Sequence, residues 1–445
     1  MFILLDRLPA GLCSPGRALG RAGAVILLCL PALQAHAAPL SLNDALRLAQ
    51  DRSRQLPAQD AAASAAREMA VAAGQLPDPT LTAGINNLPI NGPDRFSVGR
   101  DFMTQRSIGL TQEFTRTDKR RARAARFDRE AEVAVASREL ALANLQRDTA
   151  VAWLDLYYQE RLRDVLVAQR DEARLQIEAA DTAYRGGRGS QADAFAARSS
   201  VAQIEDRIVQ TEGQIASAET QLARWVGDPA AQPMGEPPSM DAVRLDPVNL
   251  ETQLAHHPQI AVMVKQEEMA LADADIARSN KRADWSWQLT YSQRGSAYSN
   301  MVSLNVSIPV QWDRKDRQDR ELGAKLAVAE QMRAEREEAS REHVAEAKAM
   351  WQQWQSNRDR LSRYDSSLVP LAAEGTRAAM AGYRGGTVTL TIVLAARREE
   401  IDIRVEQVRL QMENARLWAQ LNYLIPAGHD MATPRPPAQT QEDHP

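Results

Sequence analysis

The four residues Tyr184-Arg185-Gly186-Gly187 occur again as Tyr383-Arg384-Gly385-Gly386, 199 residues later, and this duplication confines the chain to folds built from two alike halves. Both copies lie between long stretches rich in Ala, Leu, Gln, Glu and Arg, all good helix formers. A glycine pair ends a helix at little cost, because one of the two adopts positive φ without a Cβ clash, and a second helical pattern follows each copy within a few residues. Each copy therefore reads as the tip of a helical hairpin.

The order of elements before each tip also repeats. From Ser41, with Asp44 in capping-box position, a helix is predicted through Leu42, Leu46 and Ala49, bent or interrupted at Pro57 and resuming to about Ala73, where Gly74 and Pro77-Asp78-Pro79 stop it. The period then changes from 3.6 to 2. Residues 80–87 alternate Leu81, Ala83 and Ile85 with Thr80, Thr82, Gly84 and Asn86; residues 107–114 alternate Ile108, Leu110 and Phe114 with Ser107, Gly109, Thr111 and Glu113, with Gln112 interrupting the apolar row. A helix from about Lys119 to Arg185 follows, some ~100 Å at ~1.5 Å per residue, with Leu142, Leu145, Thr149, Ala152 and Leu156 forming a coiled-coil seam. After the tip, Ser190 to Val226 returns antiparallel, and a Pro-rich linker at 227–247 closes the first half.

The second half, 248–426, restates this plan. A helix over 250–280 carries Pro258 much as the first carries Pro57. Residues 285–292 set Trp285, Trp287, Leu289 and Tyr291 against Ser286, Gln288, Thr290 and Ser292, and 301–310 set Val302, Leu304, Val306, Ile308 and Val310 against Ser303, Asn305 and Ser307. A second long helix is predicted from near Arg314 to the tip, with Val344, Ala347, Trp351, Trp354, Arg358 and Leu361 as its seam and Trp351 placed 198 residues after Trp153. Residues 387–423 return. The tail at 427–445 is polar and Pro-rich and is predicted to be disordered.

Residues 1–37 read as a signal peptide. Arg17 and Arg21 precede the apolar run Ala22 to Leu33, and Ala35-His36-Ala37 has the small-x-small form of a cleavage site. Cys13 and Cys29, the only cysteines, leave with it, so the mature chain is expected to hold neither disulfides nor thiolate metal ligands. The formal charge of −4 becomes −6 without Asp6, Arg7, Arg17 and Arg21, and nothing in it favours nucleic acid; the RGGRG run at Arg185 lacks the interleaved aromatics of an RNA-binding patch. A mean hydropathy of −0.42 and the absence of a later apolar run argue against membrane-spanning helices and leave membrane strands open.

Those strands are the informative part. Each has one hydrophobic stripe, and in the second hairpin the opposite stripe is almost wholly hydroxyl and amide, which suits a wall between lipid and water better than a sheet inside a soluble domain. Open edges are not tolerated in lipid and four strands are too few to close a barrel, so the chain is expected to assemble with copies of itself, the long helices extending the barrel as a tube. The expected lipid-facing residues are Leu81, Ile85, Ile108, Leu110, Trp285, Trp287, Leu289, Val302, Leu304, Val306 and Ile308. Trp285 and Trp312 bracket the second hairpin as an interfacial aromatic belt would.

With these features the mature chain resembles the TolC-like outer membrane efflux channels. Leu254-Ala255-His256-His257-Pro258-Gln259-Ile260 and the two tips carry the likeness, and Gly74-Gln75-Leu76-Pro77-Asp78-Pro79, Asn87-Leu88-Pro89, Asp101-Phe102-Met103 and Gln112-Glu113-Phe114 resemble the heavy-metal cation branch, the CzcC- and CusC-like proteins. The resemblance implies a mainly α fold with a small membrane β-segment: a homotrimer whose duplicated helical hairpins form an α-barrel and whose strands, four per protomer, form a shared 12-stranded β-barrel in the outer membrane. It also implies docking onto a periplasmic adaptor (membrane fusion) protein and an inner-membrane RND-type pump. Adaptor contact and the narrowest point would fall at Tyr184, Arg185, Gly186, Gly187, Arg188, Tyr383, Arg384, Gly385, Gly386 and Thr387, with Tyr383 matching a gate tyrosine. The chain departs from the family where paired acidic residues ring the constriction: Ile392 and Ala395 stand there, and only Asp193, in the first half, matches an acidic position.

The remaining chemistry-bearing residues suggest no reaction. His256-His257 do not share a helix face; His343 beside Glu342 reads as part of a solvated charge cluster, Glu399-Glu400 as a hydrated helix face, and Met103, Met263, Met269 and Met301 as scattered. No nucleophile elbow, phosphate loop or zinc motif occurs, so no catalysis, metal site or cofactor is expected, and the drive must come from a partner. The competing readings are a drug-efflux or type I secretion channel of the same fold and, in another class, a periplasmic coiled-coil adaptor or scaffold without lipid-facing strands.

Overall fold

The computed structural model describes residues 39–187, 189–246 and 249–426. The predicted signal peptide, the tail at 427–445, Arg188 and Pro247 lie outside the described residues.

The first half begins with α1 (Leu42–Arg52) and α2 (Gln55–Ala73). Ser41 caps α1, its hydroxyl accepting from the Asp44 amide at 3.1 Å. The break falls at Ser53 and Arg54, which leaves Pro57 in the first turn of α2, where its missing N–H is unneeded. Strands β1 (Thr80–Asn86) and β2 (Gln105–Phe114) lead into α3 (Thr117–Arg185), a single helix of 69 residues. After the tip, α4 (Gln191–Val226) returns, opened by a capping box between Ser190 and Asp193. The second half runs α5 (Leu250–Leu254), α6 (Pro258–Ser279), β3 (Trp285–Gln293), β4 (Met301–Ser307), α7 (Gln318–Arg363), α8 (Val369–Arg384) and α9 (Leu390–Asn422).

Two expectations are corrected. The second long helix is not continuous: a π turn, Tyr364–Leu368, separates α7 from α8. Pro370 is the physical reason, since it cannot donate to the carbonyl four residues back and its ring crowds that turn. Strand β4 ends at Ser307, not at 310, because Pro309 removes a ladder donor; Ile308 and Val310 are exposed but lie beyond the strand. The Pro-rich linker is packed against the helices. Leu40 bridges Met234, the Trp153 indole donates to the Leu40 carbonyl at 3.0 Å, and that of Trp418 donates to the Ala242 carbonyl at 2.9 Å, so the segment wraps the helices and buries Leu245.

The core is a long seam between helices rather than a central ball. Trp153, Leu154, Leu156 and Leu222 from the first half meet Ala347, Trp354, Ala415, Trp418 and Leu421 from the second. Towards the strands, α6 is laced to its neighbours by ion pairs: Arg129 to Glu268, Lys265 to Glu132 and Arg336 to Glu267.

Candidate functional site: a two-faced sheet and paired helical tips

The four strands form one antiparallel sheet in the order β1-β2-β3-β4, joining the two halves edge to edge through β2 and β3. Its register aligns the stripes. Leu81, Leu110, Leu289 and Leu304 form one continuous cross-strand row, and Ala83, Ile108, Tyr291 and Val302 form the next on the same face. Between these rows, on the opposite face, run Thr82, Gly109, Thr290 and Ser303. Because successive side chains alternate faces, the middle of the sheet is apolar on one face across all four strands and hydroxyl or glycine on the other, while towards its ends Arg106, Gln112 and Gln293 fall on the apolar face and Glu113 on the polar one. A side chain at Gly109 would meet Thr82 Oγ1 at 2.8 Å and Thr290 Oγ1 at 3.0 Å, so the polar face closes tightly there.

Among the described residues no helix covers the apolar face. Leu304 is 67% exposed, Val306 60% and Leu81 68%, whereas the seam leucines Leu154, Leu222 and Leu421 are buried. Exposed apolar rows of this kind mark a surface that meets something other than water. Leu110, Ile108, Ile85, Leu289 and Val302 are exposed; Trp287 is half-buried opposite Gln112 and Val306. Trp285 stacks on Phe114, with centroids 4.6 Å apart, and Trp312 stands 91% exposed just beyond β4. Strands β1 and β4 are the edges, each with one side of its ladder unpaired. Where the sheet meets the helices, Asp284 accepts from the Arg116 amide at 2.9 Å and pairs with Lys119 at 2.7 Å, tying the start of β3 to the start of α3.

At the far end the two tips have one geometry. Gly187 has φ +68° and Gly386 φ +73°, and their amides donate to the carbonyls of Tyr184 at 3.0 Å and Tyr383 at 3.1 Å. Tyr184, Arg185, Gly186, Arg384, Gly385 and Thr387 are exposed beside them. The tips are brought together: Ala180, Ala194, Ala197, Leu390 and Val393 form a small core joined by Tyr383, and a cleft of about 640 Å³ between the hairpins is lined by Glu178, Thr182, Asp193, Tyr383, Arg384 and Val388. Asp193 is thus at the tip cleft, with its carboxylate accepting from the Ser190 amide at 3.0 Å as the α4 cap. Ile392 is exposed.

Two side chains differ from their sequence readings. Glu400 is not hydrated: it is 4% exposed, between Arg397 and Arg404. His343 is more than part of a charge cluster: its Nδ1 lies 3.5 Å from the exposed Glu346 carboxylate, and its ring stacks on His257, centroids 4.9 Å apart. His257 Nδ1 accepts from the Gln259 amide as the cap of α6, and burial, with His343 and then Arg147 nearby, lowers its pKa to about 4. The i,i+3 and i,i+7 pattern around Glu400 carried a signal for its burial, because its repeat counterpart 199 residues earlier is Val201. Among the described residues no cluster of three or more His, Cys, Asp or Glu is placed to hold a metal ion, and no helix is long and apolar enough to cross a membrane.

No family model matches the sequence, and no curated protein matches it. Solved structures do. The outer membrane protein VceC of Vibrio cholerae superposes with a TM-score of 0.70 at 19% identity, over 86% of this chain and 95% of that one. The CmeC outer membrane channel of Campylobacter jejuni gives 0.72 at 12% identity, over 92% and 94%. CusC, described for the changes that accompany its folding and transmembrane channel formation, gives 0.68 at 16% identity, over 87% and 92%. The chain has the fold of these outer-membrane channels along nearly its whole length.

Proposed function

We propose that the chain is the outer-membrane channel of a tripartite efflux system, a passive duct through which a partner pump drives its cargo. The observation that carries this reading is the register of the sheet: an uncovered apolar face and a polar face on the same four strands, with both edges open. Such a sheet is an incomplete wall. Three copies close it into a barrel of twelve strands with lipid outside and water inside, and the helical hairpins continue the barrel into the periplasm. The paired tips then offer Tyr184, Arg185, Gly186, Gly187, Arg188 and, from the second half, Tyr383 to Thr387 to a periplasmic adaptor, and through it to an inner-membrane pump. The chain itself carries out no reaction.

Heavy-metal cations are the cargo class we assign, on the strength of the CzcC- and CusC-like segments and the fold it shares with CusC. Drug efflux and type I secretion use the same architecture and are the alternatives. Carbonate extraction tests the duct: a barrel stays with the membrane pellet, and a periplasmic scaffold is released. Gene deletion tests the cargo: tolerance to copper, silver, zinc, cobalt or cadmium falls, whereas unchanged tolerance to all of them with the pump expressed removes metals as the cargo.

A further inference from the structure

The sheet carries an aromatic border at one end only. Where it joins the helices, Phe114 and Trp285 stack, Trp287 follows on the same face and Trp312 stands beyond β4. At the other end Tyr291 is the one aromatic the strands supply, and the outermost position of the apolar face on β2 is held by Arg106, between Ile85 and Gln293. The strands are also short. Strands β1 and β4 have 7 residues each, so at ~3.3 Å per residue and a tilt of ~40° they climb ~18 Å, against the ~25 Å apolar band, bordered by aromatic girdles on both sides, that a barrel presents to lipid. The missing height and the second girdle have to come from beyond the strands.

The loops at that end hold both. Between β1 and β2, Ile90 is 74% exposed, Phe96 60% and Phe102 57%, and Tyr298 is exposed between β3 and β4. The first loop is kept in shape by its own bonds. Buried Thr104 donates its hydroxyl to the Asn87 carbonyl at 3.0 Å, Asp101 accepts from the amides of Met103 at 2.8 Å and Thr104 at 3.2 Å, and the Phe96 amide donates to the Pro89 carbonyl at 2.7 Å. Phe96 has φ +57°, a left-handed conformation that is strained for a bulky residue, yet its ring stays in the open. The second loop is fastened to the first, because a side chain on Gly295 would run into the Gly99 carbonyl. Cations are interleaved with the rings: Arg95 lies over Phe96 at 5.1 Å, Arg294 over Tyr298 at 5.5 Å, and Arg106 donates to the Arg294 carbonyl at 3.5 Å. Among the described residues Arg95, Arg106 and Arg294 pair with no carboxylate; Arg100 does, with Asp94 at 3.9 Å.

Uncovered rings beside unpaired arginines match the two parts of a phosphorylated lipid, acyl chains for the rings and phosphates for the guanidinium groups. Water offers the rings nothing. The same loops of a neighbouring copy would bring the same cations and set like charges together. We propose that loops 87–104 and 294–300 lie in the headgroup layer of the outer leaflet and bind its phosphorylated, multiply acylated lipid, with Arg106 and Arg294 on phosphate and Ile90, Phe96 and Phe102 among the acyl chains. This rests on the reading of the chain as a duct, whose wall is then finished on the outside by loops and not by strands.

The chain beyond residue 38 has no native cysteine, so a single fluorophore can report the depth of the loop in the full-length trimer. Phe102→Cys, and Leu304→Cys as the reference on the strand, are labelled with an environment-sensitive dye and reconstituted in vesicles of lipid A and phosphatidylcholine with brominated acyl chains. Quenching by bromine is expected at both positions. Blue-shifted but unquenched emission at 102, which would place the loop against a neighbouring protomer, or the red-shifted emission of a dye in water, overturns the proposal, while quenching at 304 leaves the duct reading standing; no quenching at either position overturns both. In a second measurement the wild-type trimer is expected to resist heat better in vesicles containing lipid A than in phosphatidylcholine alone, and the Arg106→Gln, Arg294→Gln trimer to lose most of that gain. A gain absent from the wild type, kept in full by the variant or matched by inorganic phosphate overturns the proposal. Should the arginine variant fail to assemble, the dye at 102 decides, since it leaves both arginines in place.

Discussion

The two halves of this chain were given the same plan and have kept different parts of it. Their tips share one turn, with the same glycine at positive φ and the same tyrosine carbonyl capped. Their strands contribute to one sheet with matched rows. Their hairpin helices diverge. The first is a continuous rod whose seam buries Gln146, Thr149, Gln169 and Gln176 beside its apolar residues, and the second is a jointed rod with a buried carboxylate, Glu400, in its seam. Positions 198 and 397 are equivalent by the repeat and both are arginine, yet Arg198 pairs with Asp181 in the open, 56% exposed, while Arg397 is 12% exposed and holds Glu400 and Glu172. The lesson is that duplication preserves what the backbone demands, the turn and the strand, and frees what side chains negotiate between helices.

Each prediction breaks or sharpens that comparison. The largest effect belongs to the shared wall. Leu81→Arg in the first half and Leu304→Arg in the second sit in one row, and each is expected to cost about 2–4 kcal/mol and to deplete membrane-assembled trimer; Asn305→Arg, on the polar face beside Leu304, is expected to assemble normally. Heat-resistant trimer on a gel reads this out, and a tolerated Leu304→Arg would mean that the row does not face lipid.

Next is the seam. Arg397→Met strips a buried carboxylate of a partner and is expected to destabilise by about 3 kcal/mol, whereas Arg198→Met removes an exposed pair and is expected to cost under about 1 kcal/mol. Equal losses in denaturant melts would erase the distinction between the halves.

The third concerns acid. Every histidine of the described residues lies in the second half, and His257 is the buried one. Its folded pKa is lowered to about 4, so the folded state keeps it neutral while an unfolded chain takes up a proton below about 6.5. Its contribution is complete above the unfolded value and is lost as pH falls towards 4, by up to about 3 kcal/mol. His257→Asn, which retains a capping oxygen, is expected to flatten the fall in melting temperature across that window; an unchanged slope would place the acid sensitivity elsewhere.

The smallest and most symmetric effect is at the tips. Gly187→Ala and Gly386→Ala meet no neighbouring atom, so each is charged only for its positive φ, about 1 kcal/mol. A marked inequality between them would show that the tips are less alike than their backbones.

What was legible in the sequence follows from the same division. The tips and stripes were readable because they depend on local rules: a glycine pair for a left-handed turn, and period-two alternation for a sheet with two environments. Pro370 and Pro309 were passed over because strong periodic patterns surround them, and a single proline shifts an element's end without disturbing the pattern's sum. The burial of Glu400 was not legible by charge type alone, since it depends on Arg397 and on Glu172, 228 residues earlier in sequence, arriving from another helix. The stacking of His257 on His343 was hidden for the same reason: the partners are on α6 and α7, and only the packed seam brings them together.

The central claim is that one face of the sheet meets lipid and the other meets water. The direct measurement is single-cysteine labelling along β4 in intact outer membranes, with a membrane-impermeant maleimide applied to Val302→Cys, Ser303→Cys, Leu304→Cys, Asn305→Cys and Val306→Cys in turn. Labelling at 303 and 305 with protection at 302, 304 and 306 is the predicted result. Uniform labelling along the strand, or the opposite alternation, would contradict it.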